Sequence, residues 1–383
     1  MGSAAVPHAP SPAIRPPLPW PPTGEDPKAQ SPYASAAAPR RPLPEPYAPV
    51  PARTVCTAVA TANPLCYPRP VAPATAPPPS SGSAEASRAT PGVPEWVGPW
   101  TDGHASLHQA QHHDQGLRTS VRVVHGPRFS HVTVRAHGVH HLPDLELQHA
   151  TTHAYRRVRQ ALEEGQARHP VRFWNFIPGI GDPAGAGLDR YMVFNAGRYA
   201  AFADWFHASD RNQLAPRIAT ATGVGHDGPD LVVHCLGDRL PGLGVENPRQ
   251  CAAYHYSEAY GPLPPCFARA TLVQADDHIP RARVIVGGTA SIVGEKSVHL
   301  GDVPAQTRET LDNIDALLQA AGAEGLDALH HVRIYHVHHH DRNAIRRLVH
   351  ERLPHLADRL EMVHAPLCRP DLDVEIEGLA DVE

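Results

Sequence analysis

The stretch GDVPAQTRETLDNIDALL at residues 301–318 predicts the best specified helix of this chain. Asp302 is a natural N-cap, because its carboxylate can accept hydrogen bonds from the free N–H groups of a first helical turn, and Gly322 is a natural end point. The predicted helix spans 305–321. Its apolar and charged residues separate onto two sides at helical spacing: Leu311, Ile314, Leu317 and Leu318 against Arg308, Glu309, Asp312 and Asp315.

The residues ahead of this helix predict a buried strand that runs into small residues. Val284-Ile285-Val286 is followed directly by Gly287-Gly288. Glycines at the end of a strand let another group approach the backbone closely. A bulge or a tight turn is the alternative explanation.

Outward from this helix, apolar runs alternate with amphipathic segments from about Trp96 to the end of the chain, which is typical of a mixed α and β domain. The element order β-β-α-β-α-β-β occurs twice, so we predict an α+β fold of two related modules. The first unit comprises strands 120–124 and 131–135, helix 151–164, strand 171–176, helix 188–206 and strands 231–235 and 252–256. The second comprises strands 268–274 and 283–287, helix 305–321, strand 331–337, helix 343–353 and strands 360–364 and 372–376.

Composition divides the chain into a tail and these two modules. Proline is about twice as frequent as its usual share of roughly 5%, and 26 of the 43 prolines lie in the first 100 of 383 residues. Such a segment buries too little apolar surface to offset its chain entropy. We predict a disordered Pro/Ala-rich tail over 1–95, an N-terminal module over 96–262 and a C-terminal module over 263–383.

Charge and cysteine usage narrow the class of protein. A formal net charge of −5 argues against bulk attraction to nucleic acid or to an anionic membrane. The sequence shows neither an apolar run long enough for a membrane span nor a signal peptide, so we expect a cytoplasmic protein. Six scattered cysteines without a CxxC pair fit reduced thiols better than disulfides or a zinc site.

A histidine cluster near the C-terminal end raises the question of a metal. His336, His338 and His340 would share one face of an extended strand, which could bring several imidazoles to one ion. No carboxylate or cysteine completes a recognisable spacing, and the chain is rich in histidine throughout. We predict no metal site.

Two arginines lie in apolar or aromatic settings and are candidate ligand-binding residues. Arg198 lies in FNAGRY at 194–199, and Arg269 lies in CFARAT at 266–271, within a predicted core strand. A buried guanidinium needs an anionic partner. That partner is either an internal carboxylate or a bound carboxylate gripped in bidentate fashion, and composition alone favours neither.

The C-terminal strand carries a candidate general acid. From Leu372 onward apolar and acidic residues alternate strictly, which places Glu375 on an acidic face. Such a face is normally solvated. Only if it closes a pocket would Glu375 be desolvated, with its pKa raised enough for acid catalysis.

Short motifs along the globular part resemble two known families. VIVGG at 284–288, GDVPAQTRETLDNI at 301–314 and VEIE at 374–377 resemble the RidA (YjgF) family of small imine deaminases over 268–380, a fold of one β-sheet packed on two helices. Over 96–383 the chain resembles the chorismatase family more closely. The motifs behind that likeness are WN at 174–175, NAGR at 195–198, ATGVG at 221–225, ENP at 246–248, HY at 255–256, YGP at 260–262 and FARAT at 267–271.

The second resemblance implies an enzyme of the lyase or hydrolase type that releases pyruvate from the enol ether of chorismate without a metal or organic cofactor. Arg198 and Arg269 would bind the dicarboxylate substrate. Glu375 matches the family's catalytic glutamate. Tyr256 and Tyr260 are expected to line the site, although core packing explains them almost as well.

Gly288 and Cys368 point to a subgroup. Hydrolysing members resemble one another in carrying alanine at both positions, whereas members that form hydroxybenzoate carry glycine and cysteine. The resemblance therefore implies 3-hydroxybenzoate as product, with 4-hydroxybenzoate as a second candidate product, and a role for Cys368 as thiolate, as thiol or by shape. Hydrolysis to a dihydroxycyclohexadiene carboxylate and a non-catalytic RidA-like binding protein are the alternatives. Deaminases of the RidA family are single-module chains that assemble their sites between subunits. A second module in this chain could serve instead of the neighbouring subunit, so we expect a monomer.

Overall fold

Two six-stranded sheets, each covered by helices, make up the computed structural model, which describes residues 91–101, 106–114, 116–356 and 359–382. The first module follows a short helix α1 (Val97–Thr101). Its strands are β1 (Ser106–Asp114), β2 (Leu117–His125), β3 (Phe129–Ala136), β4 (His169–Pro178), β5 (Thr220–His226) and β6 (Leu231–Asp238). Its helices are α2 (Asp144–Glu164), α3 (Arg190–Phe206) and α4 (Arg211–Leu214).

The second module repeats this plan. Its sheet strands are β7 (Leu243–Val245), β8 (Ala270–Val273), β9 (Ala282–Ala290), β12 (Leu329–His336), β13 (Leu360–His364) and β14 (Val374–Val382). Strands β10 (Ile292–Val293) and β11 (Lys296–Ser297) form a separate hairpin. The helices are α5 (Val303–Ala320) and α6 (Arg342–Arg352).

The two sheets have the same topology. The first has the order β1-β2-β3-β6-β4-β5, and the second has the equivalent order β7-β8-β9-β14-β12-β13. In each sheet the strands pair antiparallel except the last two, β4 with β5 and β12 with β13, which are parallel. The predicted α+β class with two related modules is therefore confirmed by strand order as well as by element order.

Helix α5 forms as its sequence predicts. The Asp302 carboxylate accepts a hydrogen bond from the Ala305 N–H at 2.9 Å, and the helix begins at Val303 with Pro304 in its first turn, where a proline N–H is not needed. Gly322, with a φ of +88°, follows the last turn. The apolar side packs under the second sheet.

Three apolar clusters form the core, two of them within single modules and one between the modules. One fills the space between the first sheet and its helices α2 and α3, and a second does the same between the second sheet and α5 and α6. The third lies between the two sheets, where Trp174 and Phe176 of the first module meet Ile285, Tyr335 and Leu379 of the second. Both faces of each sheet are thus covered, and the inner faces lie against one another.

Some predicted elements differ from the structure. The predicted strand 252–256 is wrong: a single 3-10 turn (Ala253–His255) forms there, and Tyr256 is tied to Arg269 by a hydrogen bond. Strand β1 was not predicted, because it is an exposed edge strand of mostly polar residues. The second sheet also begins at Leu243, ahead of the predicted module boundary between 262 and 263.

The predicted disordered tail falls almost wholly outside the described residues, which begin at 91. Its last five residues belong to the fold: the Gly92 carbonyl accepts a hydrogen bond from Arg333, and the Glu95 N–H donates to Glu361 at 2.9 Å. Trp96 then packs on Trp174, with ring centroids 5.8 Å apart. No helix in the described part of the chain is long and apolar enough to cross a bilayer.

Candidate active site

A cavity of about 320 Å³ lies between the two modules. Its walls come from α3 and β5 of the first module, β9 and the start of β14 of the second, and the connecting segments around residues 256–269 and 368–372. A volume of this size suits a small organic ligand. Every site residue predicted from the sequence lines it: Arg198, Tyr256, Tyr260, Arg269, Gly288, Cys368 and Glu375.

Arg198 is a buried cation on the cavity wall. It is 1% exposed on helix α3, and its guanidinium stacks between the rings of Phe194 and Phe267, at 5.3 and 5.7 Å from their centroids. One Nη donates to the Asn195 side-chain oxygen at 2.7 Å, while its buried Nε has no hydrogen-bond partner. Among the described residues, no carboxylate lies within ion-pair distance of it.

Arg269 has a similar environment. It is 3% exposed, and one Nη donates to the Cys251 carbonyl at 2.8 Å and to the Tyr256 hydroxyl at 2.6 Å. Its Nε also has no partner, and it forms no ion pair with any described residue. Of the two partners that the sequence left open for these arginines, the internal carboxylate is thus absent from the described chain. Two buried, uncompensated cations on one cavity suit a dianionic ligand.

Glu375 lies at the start of β14 and is 5% exposed. The acidic face of this strand does close a pocket, because β14 lies inside the sheet between β9 and β12 and its face meets the other module. Burial and, to a smaller extent, the nearby charge of Glu377 raise the pKa of Glu375 to about 8, while Arg172 and Arg269 oppose the shift. No hydrogen bond links its carboxyl group to another described residue. At neutral pH Glu375 is a protonated acid facing the cavity.

Gly288 leaves room for that acid. A Cβ atom built on Gly288 would overlap the Oε1 atom of Glu375 and lie 3.1 Å from the Thr222 hydroxyl. The Gly288 N–H donates to the same hydroxyl at 2.9 Å, which fixes the strand end. An alanine here would displace the Glu375 carboxyl group, so the glycine is needed for close approach rather than for a turn.

Cys368 carries a neutral thiol. Desolvation and, to a smaller extent, the nearby charge of Glu375 raise its pKa to about 12. Of the three forms of action that the sequence left open, the thiolate is therefore disfavoured at neutral pH. A thiol can still donate a weak hydrogen bond or define the shape of the cavity.

A buried network of charged and polar side chains lies beneath Glu375. The Glu377 carboxylate accepts hydrogen bonds from Arg172 at 2.6 Å, from the Trp174 indole at 2.9 Å and from the Thr222 hydroxyl at 2.5 Å. Arg172 and Glu377 are both almost completely buried. Because Arg172, Trp174 and Thr222 come from the first module and Glu377 from the second, the network joins the modules directly beneath Glu375.

Breaking this network is expected to destabilise the protein strongly. Arg172→Met or Glu377→Gln leaves a buried charge without its partner, which costs about 3–5 kcal/mol of unfolding free energy. The double variant Arg172→Met/Glu377→Met removes both charges and is expected to lose less than either single variant. Urea unfolding measures this. The exposed pair Arg352 and Asp312 supplies the control, since Arg352→Met is expected to change stability by about 1 kcal/mol or less.

Some cavity residues were not predicted. Arg369 stacks over the Tyr260 ring, 4.0 Å from its centroid, and donates to the Glu295 carbonyl at 2.8 Å. It directly follows Cys368, so its position in the sequence was the available signal. Glu295 lies outside the cavity lining and accepts hydrogen bonds from the N–H and hydroxyl of Ser257. That contact ties down the segment that bears Tyr256 and Tyr260, whose rings lie 5.1 Å apart.

The histidine cluster lies apart from this cavity. His338 and His340 are exposed and stack on each other, with centroids 5.3 Å apart, whereas His336 turns into the fold beside the His338 carbonyl. No three His, Cys, Asp or Glu side chains of the described ranges are arranged to hold a metal.

Comparisons with known proteins agree with this arrangement. Residues 106–237 match the family model for "Chorismatase FkbO/Hyg5-like, N-terminal", and residues 269–382 match that for "Endoribonuclease L-PSP". A 3-hydroxybenzoate synthase of Streptomyces hygroscopicus is 35% identical over 241 residues, which cover 60% of this chain and 68% of that protein. The chain belongs to the chorismatase family. The predicted resemblance to chorismatases, and to RidA-like proteins in the C-terminal module, is confirmed.

Further relatives support the assignment of this chain to the chorismatase family. A chorismatase of Streptomyces rapamycinicus is 36% identical over 225 residues, covering 55% of this chain and 63% of that protein. A crystal structure of a chorismatase superposes with a TM-score of 0.57 and 28% identity, covering 70% of this chain and 78% of that one. The likeness therefore includes both modules.

Proposed function

We propose that this chorismatase converts chorismate to pyruvate and 3-hydroxybenzoate. The observation that carries the proposal is the cavity in which two buried arginines without a counterion face a protonated, desolvated glutamic acid. Chorismate offers two carboxylates and an enol ether, which match the two cations and the acid. The name of the relative from Streptomyces hygroscopicus, a 3-hydroxybenzoate synthase, supports the same product.

Binding places the substrate against both modules. Arg198 and Arg269 receive the carboxylates, with their unpaired Nε groups free to donate. Arg269 also holds the Tyr256 hydroxyl at 2.6 Å, which positions that ring on the wall. The apolar lining, including Phe267 and Ile292, excludes water from the ring of the substrate.

Glu375 then transfers its proton to the methylene carbon of the enol ether. A carbon–hydrogen bond forms, the adjacent carbon gains oxocarbenium character, and Glu375 becomes the carboxylate. Pyruvate and 3-hydroxybenzoate together contain all the atoms of chorismate, so no water is consumed overall. The bond between the ether oxygen and the ring carbon breaks, so that this oxygen becomes the ketone oxygen of pyruvate and the ring carbon is left electron-deficient. The neighbouring ring hydroxyl moves to that carbon within the closed cavity. The ring proton released on aromatisation returns to the Glu375 carboxylate, and aromatisation makes the sequence strongly downhill.

Gly288 and Cys368 set the direction of that rearrangement. Gly288 lets the Glu375 carboxyl group lie against the strand, and the neutral Cys368 thiol lies beside the same acid. We assign Cys368 the movement of a proton or hydroxyl before aromatisation. With alanine at both positions, as in the hydrolysing subgroup, the expected product is a dihydroxycyclohexadiene carboxylate.

The cavity is assembled by one chain, because each module supplies part of its wall, and we therefore propose that the enzyme acts as a monomer. The four cysteines in the described residues are free thiols. Free thiols suit a reducing compartment, which supports a cytoplasmic location.

Product analysis tests the proposed function. Purified protein is incubated with chorismate and no added metal, and products are identified by chromatography with mass detection. Pyruvate and 3-hydroxybenzoate in equal amounts are expected, and any 4-hydroxybenzoate would show a second route of aromatisation. A dihydrodiol would establish hydrolysis instead, and unchanged chorismate would favour a non-catalytic binding protein.

The variant Cys368→Ala is expected to shift the products rather than stop pyruvate release. Because Glu375 performs the first step, pyruvate formation is expected to stay within about tenfold of the parent, as removal of a weak hydrogen bond changes a barrier by about 1.4 kcal/mol or less. The share of 3-hydroxybenzoate is expected to fall and that of the dihydrodiol to rise. The matched control is Cys266→Ala, a buried thiol outside the cavity lining. An unchanged 3-hydroxybenzoate yield in Cys368→Ala would show that the thiol has no such role.

A further inference from the structure

Tyr191 lines the cavity and has no part in the reaction described above. It lies in the first turn of α3, directly beside the Met192 N–H, which donates to the side chain of the N-cap residue Asp189 at 2.8 Å. Its ring lies nearly parallel to that of Phe194, with centroids 6.3 Å apart, and a Cβ atom built on Gly223 would lie 3.2 Å from it. The capped helix start and these two contacts fix the position of the ring.

The hydroxyl of this ring opens into the cavity. Buried phenols usually find a hydrogen-bond partner. Three others in this protein have one: Tyr155 donates to Asn175 at 2.8 Å, Tyr335 donates to Glu377 at 3.3 Å, and Tyr256 accepts from Arg269 at 2.6 Å. The Tyr191 hydroxyl has no partner among the described residues, and it is not enclosed by protein. A ligand in the cavity can therefore supply the partner.

The Tyr191 phenol is a neutral group that can both donate and accept a hydrogen bond. Burial and, to a smaller extent, the charges of Cys368 and Glu375 raise its pKa, while Arg198 opposes the shift. It therefore keeps its proton at neutral pH. These properties suit a hydroxyl group of a ligand better than a carboxylate, which the arginines already serve.

Helix α3 places this phenol on the same face as Arg198. The two residues are seven positions apart, which is about two helical turns. Phe194 lies between them on that face, and its ring contacts both the Tyr191 ring and the Arg198 guanidinium, the latter at 5.3 Å from its centroid. A ligand whose carboxylate is bound by Arg198 therefore lies beside the Tyr191 hydroxyl.

Strand β5 places the acid near the same phenol. Gly223, which lies against the Tyr191 ring, directly follows Thr222. The Thr222 hydroxyl accepts a hydrogen bond from the Gly288 N–H at 2.9 Å, at the point where Glu375 lies against strand β9. A ligand group that receives the proton of Glu375 therefore lies near the phenol as well.

We propose that the Tyr191 hydroxyl forms a hydrogen bond with the ring hydroxyl of chorismate and makes the site specific for that group. The inference deepens the proposed function and rests on it, because chorismate supplies the ring hydroxyl. This hydroxyl is carried by the ring carbon next to the one that bears the enol ether, so its partner must lie near the acid that protonates the ether. The other side-chain hydroxyls with described partners are engaged: Ser297 donates to Asp371 at 3.1 Å, and Arg269 holds Tyr256.

The experiment compares two ligands and two residues in one cycle. Calorimetry measures binding of chorismate, and of the analogue in which hydrogen replaces the ring hydroxyl, to the Glu375→Gln variant, which cannot turn chorismate over by the proposed route. Tyr191→Phe is then introduced into the same background. The matched control is Tyr199→Phe, a half-buried phenol on the same helix outside the cavity lining. Tyr260→Phe is measured alongside, because its phenol also lines the cavity.

The dissociation constant of chorismate is expected to rise by about tenfold in Tyr191→Phe, because the ring hydroxyl is left without a partner in a desolvated site. The analogue has no such group, so its dissociation constant is expected to change by less than about twofold. Tyr199→Phe is expected to leave both constants unchanged. The Glu375→Gln parent itself is expected to bind chorismate more tightly than the analogue.

Equal affinity of the parent for the two ligands overturns the proposal even if Tyr191→Phe does not fold. An equal loss for both ligands in Tyr191→Phe overturns it too, because a structural role of the phenol would weaken both. A loss confined to chorismate that appears in Tyr260→Phe instead assigns the ring hydroxyl to that residue and rejects Tyr191. An absence of chorismate binding and of product from the wild-type protein overturns the proposed function instead.

Discussion

Replacing Glu375 by glutamine is expected to lower the rate of pyruvate release from chorismate by about 10²- to 10⁴-fold, the usual contribution of a positioned general acid. Glutamine has nearly the same size and can occupy the space that Gly288 leaves open, so the fold and the arginine pair should persist. Only the transferable proton is lost. Chorismate should therefore still bind, and the loss should appear in kcat rather than in KM.

The pH dependence of the parent enzyme gives an independent test of Glu375. Burial raises the pKa of this carboxyl group to about 8, so the acid form predominates at neutral pH. Activity that needs a protonated acid is level below that pH and falls by about tenfold per unit above it. Steady-state kinetics between pH 6 and 9.5 measure the profile, with the exposed Glu258→Gln variant as control. A kcat that rises with pH, or a Glu375→Gln variant within tenfold of the parent, would contradict the acid role.

The contrast between Glu375 and the rest of its strand shows what sequence alone could predict. Alternation of apolar and acidic residues from Leu372 onward indicated a strand with one acidic face, and that much is correct, although β14 begins at Val374. Whether the acidic face is solvated depends on what covers it. The covering surface belongs to the other module, some 150 to 200 residues earlier in the chain, so no local pattern reports it.

Strand β5 illustrates a second limit. Its sequence, TATGVGH at 220–226, contains two glycines, which are depleted in strands, and no strand was predicted there. The segment is nevertheless an edge strand of the first sheet and a wall of the cavity. Glycines are needed here because the folded chain brings other groups close to their backbone. A Cβ atom on Gly225 would overlap Ile180 and crowd Pro366. By contrast, α5 was predictable because its cap, its apolar stripe and its terminal glycine are all local signals.

For the two arginines, the sequence predicted burial but could not identify the anionic partner. Their apolar surroundings in sequence predicted buried guanidinium groups, and Arg198 and Arg269 are indeed 1% and 3% exposed. The sequence could not tell whether an internal carboxylate neutralises them. That question depends on which acidic residues the two modules bring close, and the described residues place none within ion-pair distance.

Replacing Arg198 by glutamine should weaken substrate binding while leaving the unliganded fold as stable as before, or more stable. Removing one member of a buried, hydrogen-bonded charge pair costs about 2 kcal/mol or more, which corresponds to a rise of roughly 30-fold or more in KM for chorismate. Glutamine keeps a hydrogen-bonding group near Asn195, the present partner of the guanidinium at 2.7 Å. The control is Arg217→Gln, because Arg217 is exposed, lies outside the cavity lining and donates to the Phe206 carbonyl.

The opposite signs of these two effects are what distinguish a binding arginine from a structural one. A guanidinium that is 1% exposed and has no carboxylate partner is a desolvated charge in the free protein, and its removal relieves that penalty. Replacement of a structural arginine would lower the stability of the unliganded protein and leave the KM unchanged. Urea unfolding of Arg198→Gln without substrate, set beside its KM, decides between them: lower stability with unchanged KM would assign Arg198 to the core, whereas equal or higher stability with a raised KM identifies it as a residue kept for the substrate.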